Sequence, residues 1–597
     1  MTLRNTFTFC LWQALLWYVA AVGFFHIGGF YTDVWGISFT VLFILGHITF
    51  LALAVGLLGA VAGLIGPRTR QAVLLIGGII GSFFLTADFV VFAQYRFHIG
   101  LSLLGMFFGS AGREIFVFST TMWLMSGAIT LAIILAETAL LLAAKRWPLS
   151  RRGVTVFLGS WAVCFLLYNG LYAWGKFYMV PSVMAQPQVL PLAYPVSLNH
   201  RLEKWGFTPR QSPYFIPKTG SLSYPLAPLS CADKKPSKNI LIILVDAWRG
   251  DTFTPQIMPQ VSAWAQKPGM HVFTNHLSGG NSTMGGVFSL FYALPHSYWD
   301  DVTTQHLPPV LISHALAQGY EPAIFASSQI TSPAFHRNVF SQIQNLRVGS
   351  AGSSSWERDQ NAVADFEQFL QNRNGKQPFF GFIFLDAPHA YEYPPQAKKF
   401  TPVKEINYLL FTNSTDPTPY FNQYKNAVYF TDGLIARVLN DLQQRGLLDH
   451  TIVVITADHG QELNDSHQNY WGHNGNFTDY QTKVPLLVYD PSVAENPVIN
   501  YRTSHHDIAP TLLQTVFGCT NPPEDYSLGK NLLDATPRPF TVFAGHTERV
   551  VRIGDSITAL DKFGGVTQYD NTLRPLATPP DTATVREGLK SFRRFYR

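Results

Sequence analysis

Charge is what the first 175 residues of this 597-residue chain have least of. Asp, Glu, Lys and Arg make up 14% of the whole sequence, but few fall within five apolar stretches near 6–31, 36–66, 72–94, 121–144 and 153–175. Each stretch can cross a bilayer, which takes roughly 20 residues of helix. A cleavable leader is also missing. The first stretch is too long, has no small-residue cleavage site, and is followed at once by another span. These absences point away from a soluble N-terminal third and leave residues 1–175 as a five-helix transmembrane bundle. Cysteine is scarce too: there are four. Cys10 and Cys164 fall inside spans, where they pack. Cys231 and Cys519 lie in the remainder, where an oxidising compartment permits a disulfide, and the sequence leaves open whether they meet.

The few charges beside the spans set their direction. Arg4, Arg68, Arg70, Lys145, Arg146, Arg151 and Arg152 fall on one side. The opposite loops carry no Lys or Arg at 32–35 and only Arg96 and Arg113 at 95–120. The positive-inside bias therefore places the N-terminus in the cytoplasm and everything after about residue 176 outside. His47, Asp88 and Glu137 lie within spans, where ionisable groups are costly and usually face partners. They read as hydrogen-bonded ties of the bundle. A proton or ligand path is the alternative, but no repeated charge pattern supports it. The net charge of +5 is spread over both halves and marks no nucleic-acid surface.

Residues 176–237 form a Pro-rich connector, with Val180-Pro181, Gln186-Pro187, Leu190-Pro191 and Tyr194-Pro195. Such a segment lies along a surface or forms short helices rather than a core of its own. It carries His200, Arg201, Lys204 and Arg210 just beyond the last span, either as a solvated face or as a seat for anionic lipid head groups.

From 238 to 597 the pattern changes to α/β. Asn239-Ile-Leu-Ile-Ile-Leu-Val245 is an unbroken apolar run, as expected of a strand buried on both faces of a parallel sheet. Similar runs recur at 321–326, 378–385, 451–456 and 484–489. Between them, residues 421–446 place Val428, Ile435, Val438, Leu439 and Leu442 on one helical face. This alternation predicts a mostly parallel, doubly wound sheet, whose ligand site lies beyond the carboxyl ends of its strands. Polar residues do follow the strands: Asp246 after the first, Asp386-Ala-Pro-His389 after another, and Asp458-His459-Gly460 after the penultimate one. A Gly-rich turn, Ser278-Gly-Gly-Asn-Ser-Thr283, opens a predicted helix. Asp and His at neighbouring strand ends are ligands for Zn²⁺ or Mn²⁺, and carboxylates alone suit Mg²⁺. A hydroxyl at a helix N-terminus sits where an anion is favoured. Each feature alone has a blander reading as a turn or an N-cap; their joint order is harder to explain that way.

Asn239–Asp246, Thr456-Ala-Asp-His-Gly460, Lys483-Val-Pro-Leu-Leu-Val488 and His506-Asp-Ile-Ala-Pro-Thr-Leu-Leu513 resemble signature segments of the sulfatase/alkaline-phosphatase superfamily. With Asn469-Tyr-Trp-Gly-His-Asn-Gly-Asn-Phe477 and the five spans, the chain is similar over nearly its whole length to the YejM-type family of Gram-negative inner-membrane proteins. The resemblance implies Asp246, Asp458 and His459 as metal ligands, with Thr283 as nucleophile or fourth ligand and Ser282 as its fallback. It also implies His473 and His389 as residues facing the substrate. Two departures count. Asn281-Ser-Thr-Met-Gly-Gly286 is not the Cys/Ser-x-Pro-x-Arg of sulfatases, which argues against sulfate-ester hydrolysis. Ala247 follows Asp246 where the superfamily commonly has a second Asp.

For function, the resemblance implies a regulator that senses lipopolysaccharide, or an acidic phospholipid such as cardiolipin, at the periplasmic leaflet. It would act on lipopolysaccharide synthesis through a membrane regulatory protein. The lipid phosphates would then meet His200, Arg201, Lys204 and Arg210, although Asn199 and His200 stand near the place of the family's arginine pair. The alternative is a metal-dependent phosphatase or head-group phosphotransferase using Thr283, and a third reading is an envelope scaffold.

Overall fold

The computed structural model of the protein describes residues 1–109, 112, 118–210, 212, 214, 216, 220–233 and 237–597. Arg113 and parts of the connector lie outside the described residues. Five helices are long and apolar enough to cross a membrane: Leu3–Gly28, Val34–Ala62, Pro67–Tyr95, Thr120–Arg146 and Arg151–Phe177. Side chains at their starts meet otherwise unpaired N–H groups. Thr2, Asp33, Ser119 and Ser150 cap the first, second, fourth and fifth spans, and Pro67 opens the third. The bundle core is aromatic, built around Phe24, Phe39, Phe43, Phe92, Tyr168 and Tyr172.

The three intramembrane ionisable residues are hydrogen-bonded. A His47 ring nitrogen lies 3.0 Å from the Pro191 carbonyl. Asp88 accepts from the Ile99 N–H at 2.6 Å and pairs with His98 Nδ1 at 2.6 Å. Glu137 accepts from Gln13 Nε2 at 2.8 Å and Ser82 Oγ at 2.5 Å. Of the two forms expected of the connector, its start takes the short helices, Pro181–Met184 and Gln186–Val189. Val183, Met184, Val189 and Leu190 are buried, and Val183, Val189 and Leu190 join the core of the bundle. Its short turns pair only part of its polar groups, and the rest find partners on the spans. Gln186 illustrates this by donating from Nε2 to the Gly36 carbonyl at 3.1 Å.

The C-terminal domain is built on seven strands: β1 (Asn239–Val245), β2 (Met270–Phe273), β3 (Glu321–Ala326), β4 (Phe379–Leu385), β5 (Thr451–Ala457), β6 (Leu486–Tyr489) and β7 (Val498–Ile499). Their order is β7-β2-β6-β5-β1-β4-β3. All pair in parallel except β6, which runs antiparallel to both β5 and β2. Successive residues of β1 feed opposite cores. Ile240, Ile242 and Leu244 pack with the Thr283–Tyr292 helix on one face. Leu241, Ile243 and Val245 pack with the Thr418–Gln444 helix on the other. That two-sided burial accounts for the unbroken apolar run. Strands β2 and β7, and a C-terminal antiparallel meander over Thr541–Tyr569, extend the domain beyond the strands legible in the sequence. Cys231 and Cys519 form a disulfide that ties the connector to the end of the Ile508–Thr515 helical segment.

The end of the third span plugs into the C-terminal domain. Gln94 Nε2 donates to the Tyr408 carbonyl at 2.5 Å, and Arg96 donates to the Gln468 carbonyl at 2.7 Å. Arg96 also lies 4.6 Å over the Tyr470 ring, and Asn469 Nδ2 donates to the Ala93 carbonyl at 3.1 Å. Tyr95 packs on Gly472, whose φ is +118° and where a Cβ would come within 2.8 Å of the tyrosine ring. A side chain there is unfavourable on both counts. Gly472→Ala is expected to loosen this junction by about 1–3 kcal/mol. Hydrogen exchange should then speed up at 93–97 and 468–475 but not in β1; unchanged exchange at the junction would sink the idea.

Candidate metal centre

The strands deliver their last residues to one place. Asp246 follows β1, Asp386 follows β4 and Asp458-His459 follow β5, so three adjacent parallel strands end on carboxylates. Asp246, Asp386, Asp458 and His459 are all buried. Over them stands the N-terminus of the Thr283–Tyr292 helix. Ser282 is its N-cap, accepting from the Gly285 N–H at 3.3 Å. Thr283 is thus the first helical residue, and its half-buried hydroxyl lies 3.3 Å from His459 Nε2. This register separates the two hydroxyls: Ser282 closes the helix end and Thr283 faces the carboxylates. The helix comes this close because Gly286 has no side chain. A Cβ there would lie 2.0 Å from the Asp458 carbonyl oxygen.

Asp458 is held from its backbone side. Its Oδ1 accepts from the N–H groups of Ala247 at 3.0 Å and His459 at 2.8 Å. Its Oδ2 has no hydrogen-bond partner, and neither does Asp246 Oδ1. Both lie near His459 Nε2, Asp246 Oδ1 at 3.4 Å and Asp458 Oδ2 at 3.5 Å. The other ring nitrogen of His459, Nδ1, donates to the Gly460 carbonyl at 2.7 Å, which leaves a lone pair on Nε2 facing the two oxygens. Burial pushes the Asp246 carboxyl well up, and the neighbouring Asp458, Asp386 and Asp359 add to this. Burial likewise raises Asp458 to about 7 and lowers His459 to about 4. Two buried carboxylate oxygens and a neutral imidazole nitrogen, converging without donors between them, are the chemistry of a divalent-cation site. The three ligand atoms lie within 4.8 Å of one another, and so do those of a second set, Asp246, Asp386 and His389.

His389 and His473 sit half-buried at the rim. The His473 ring lies 4.2 Å from that of His459 and 5.3 Å from that of His389, centre to centre. Gln461 Oε1 fixes His473 through Nδ1 at 3.0 Å. Asp386 belongs to the site by position, and a strand end followed by Ala-Pro-His was the signal for it. It accepts from Arg358 at 3.1 Å, while Asp359 takes the N–H groups of Asp386 and Ala387 at 2.8 and 2.9 Å. Asp359 is distant in sequence from any motif and could not have been found by pattern. The basic residues of the connector lie elsewhere. His200, Arg201 and Lys204 are on the short Asn199–Lys204 helix just past the fifth span, with Arg210 after it, and all four are exposed.

Residues 238–518 match the Sulfatase family model, and residues 2–231 match a domain of unknown function, DUF3413. An uncharacterized protein of Haemophilus influenzae is 27% identical over 487 residues, covering 78% of this chain and 74% of its own length. Inner membrane protein YejM of Salmonella typhimurium is 25% identical over 546 residues, covering 89% and 86%. Among solved structures, the integral membrane protein lipooligosaccharide phosphoethanolamine transferase A (EptA) of Neisseria meningitidis aligns with a TM-score of 0.53 at 16% identity. That alignment spans 86% of this chain and 95% of EptA, a likeness of fold. With the strand-end carboxylates, the mostly parallel sheet and the five apolar helices, these matches make residues 238–518 a sulfatase-family domain joined to a five-helix membrane anchor, in a chain similar to inner membrane protein YejM.

Proposed function

We propose that this protein is an inner-membrane regulator that binds phosphate-bearing lipid at the periplasmic leaflet. The lipid is lipopolysaccharide or an acidic phospholipid, and the output is control of lipopolysaccharide synthesis through a membrane partner. The observation that carries the lipid reading is the patch beside the fifth span. His200, Arg201, Lys204 and Arg210 are exposed there, and no ion pair occupies them among the described residues. Tyr194, Trp205 and Phe207 are exposed around them. Aromatic rings favour the head-group level of a bilayer, and cations beside it attract anionic heads at about 1 kcal/mol each. The regulatory output rests on the likeness to YejM-type proteins. The cytoplasmic N-terminus and periplasmic domain rest on the Lys/Arg bias, and the Cys231–Cys519 disulfide suits an oxidising compartment.

A second reading has its own observation, the unpartnered Asp246 and Asp458 oxygens beneath Thr283. It makes the protein a metal-dependent phosphatase or head-group phosphotransferase, and EptA, by its name, transfers phosphoethanolamine. Asp246, Asp458 and His459 would hold Mg²⁺, Mn²⁺ or Zn²⁺, with Thr283 at hand as a further ligand or as nucleophile. Such an ion supplies positive charge against a phosphoryl oxygen and a nearby hydroxyl. The chain's own residues would present the Thr283 hydroxyl at a helix N-terminus that favours an anion, with His389 and His473 donating to it from the rim.

Native mass spectrometry of the detergent-purified protein separates the two readings. The wild type and Thr283→Ala are expected to carry lipopolysaccharide or acidic phospholipid. Arg201→Glu/Lys204→Glu should lose about 2 kcal/mol, or roughly 30-fold, of that retention. Equal retention in the charge-reversed protein, together with a phosphorylated Thr283 in the wild type, would favour the enzyme instead. Elemental analysis tests the metal centre: His459→Ala should lose bound metal at least 10-fold while keeping its lipid, and undiminished metal would rule these ligands out. Orientation is read in spheroplasts. After reduction, a membrane-impermeant thiol reagent should label Cys231 and Cys519, and labelling only after lysis would reverse the topology.

A further inference from the structure

Spans one, three and four meet around four polar side chains deep in the bundle. Glu137 of span four and Gln13 of span one have no solvent exposure, and Ser82 of span three and Trp17 of span one are buried beside them. The donors of this cluster go to two atoms. Glu137 Oε1 accepts from Gln13 Nε2 at 2.8 Å and from Ser82 Oγ at 2.5 Å. Ser82 Oγ accepts from Trp17 Nε1 at 2.8 Å and from Gln13 Nε2 at 3.3 Å. Two acceptors are left over, Glu137 Oε2 and Gln13 Oε1, each buried and without a hydrogen-bond partner.

These two oxygens border the same small space. A Cβ on Gly78 of span three would lie 2.5 Å from Glu137 Oε2 and 3.0 Å from Gln13 Oε1. Rotating the Gln13 amide offers no relief, because it would set the amide oxygen against Glu137 Oε1. Charge sharpens the point. The groups acting on Glu137 are Ser82 and Gln13, both neutral, and no Lys, Arg or His pairs with it among the described residues. A water molecule could donate to both oxygens but would leave a carboxylate uncompensated in an apolar bundle, which is expensive. A single cation would satisfy both oxygens and neutralise the charge.

We propose that Glu137 Oε2 and Gln13 Oε1, over Gly78, form an intramembrane binding site for one monovalent cation, a proton or a sodium ion. The site does not depend on the lipid or metal readings of the exported domain. It has a structural consequence for span four, whose buried residues are few: Met122, Glu137, Leu141 and Ala144. Glu137 is the one ionisable member of that contact, so the cation would help hold span four against spans one and three.

The test uses the full-length protein in zwitterionic nanodiscs at alkaline pH, with choline replacing sodium at constant ionic strength. Wild type is compared with Glu137→Gln, which keeps shape and removes the charge, and with Gly78→Ala, which fills the space. A sodium site is expected to retain one radiolabelled sodium per chain, with at least a tenfold loss in either variant. A proton site is expected to show, in choline, a carboxylic-acid carbonyl band in the infrared difference spectrum of wild type against Glu137→Gln. An ionised carboxylate band that sodium does not shift, with no sodium retained, means a bridging water only and overturns the proposal. Should Glu137→Gln fail to fold, Gly78→Ala against wild type gives the same readouts.

Discussion

The arrangement of the C-terminal domain turns on one close approach, the Thr283–Tyr292 helix lying directly on the backbone of Asp458. Gly286 permits it, since any Cβ at that position would collide with the Asp458 carbonyl. Ser278 and Gly279 complete the contact: the Ser278 hydroxyl bonds the same carbonyl, and a Cβ on Gly279 would meet Ser289. Because of this approach, the Thr283 hydroxyl reaches hydrogen-bond range of His459 while the two Asp carboxylates lie underneath. Moving the helix outward by one side chain would leave the same residues present but the site open. The burial that raises the two carboxyls and lowers the imidazole follows from the same packing.

The membrane half reaches that site through contacts rather than through the chain alone. Ala93, Tyr95 and Arg96 at the end of the third span touch the 468–472 segment, and the next residue along is His473. Asn474 then donates its N–H to the Asn281 carbonyl, two residues before Thr283. On the other side, His98 joins Asp88 of the third span to the Gln188 carbonyl of the connector, which leads on to the basic patch. The strand-end site and the start of the connector are thus both hydrogen-bonded to the third span, the latter through His98.

Sequence patterning read the large features well, because they rest on periodicities that burial enforces. Five apolar helices and the buried strands β1, β3, β4 and β5 announce themselves as unbroken runs, since neither lipid nor a two-sided core tolerates alternation. Strand β6 also showed, within the run 484–489, whereas β7 has only two residues and β2 carries His271 among its four, which breaks the apolar run. The connector was harder for a related reason. Pro-rich composition reads as a surface run or as short helices; the short helices form, and packing against the spans buries Val183, Met184, Val189 and Leu190.

By itself, the sequence determined the membrane bundle, the α/β class of the C-terminal half, and which residue types stand at the strand ends. It did so because helix and strand periods and strand-terminal polarity are local properties. Only the tertiary structure decided that Thr283 rather than Ser282 faces His459, that Asp386 and His389 join Asp246, that Asp359 lies beneath them, and that Cys231 reaches Cys519. It also decided that Gln13, Ser82 and Glu137, from three different spans, meet above Gly78. Each of these is a contact between residues far apart in the chain, set by how neighbouring elements pack, and no local pattern encodes that.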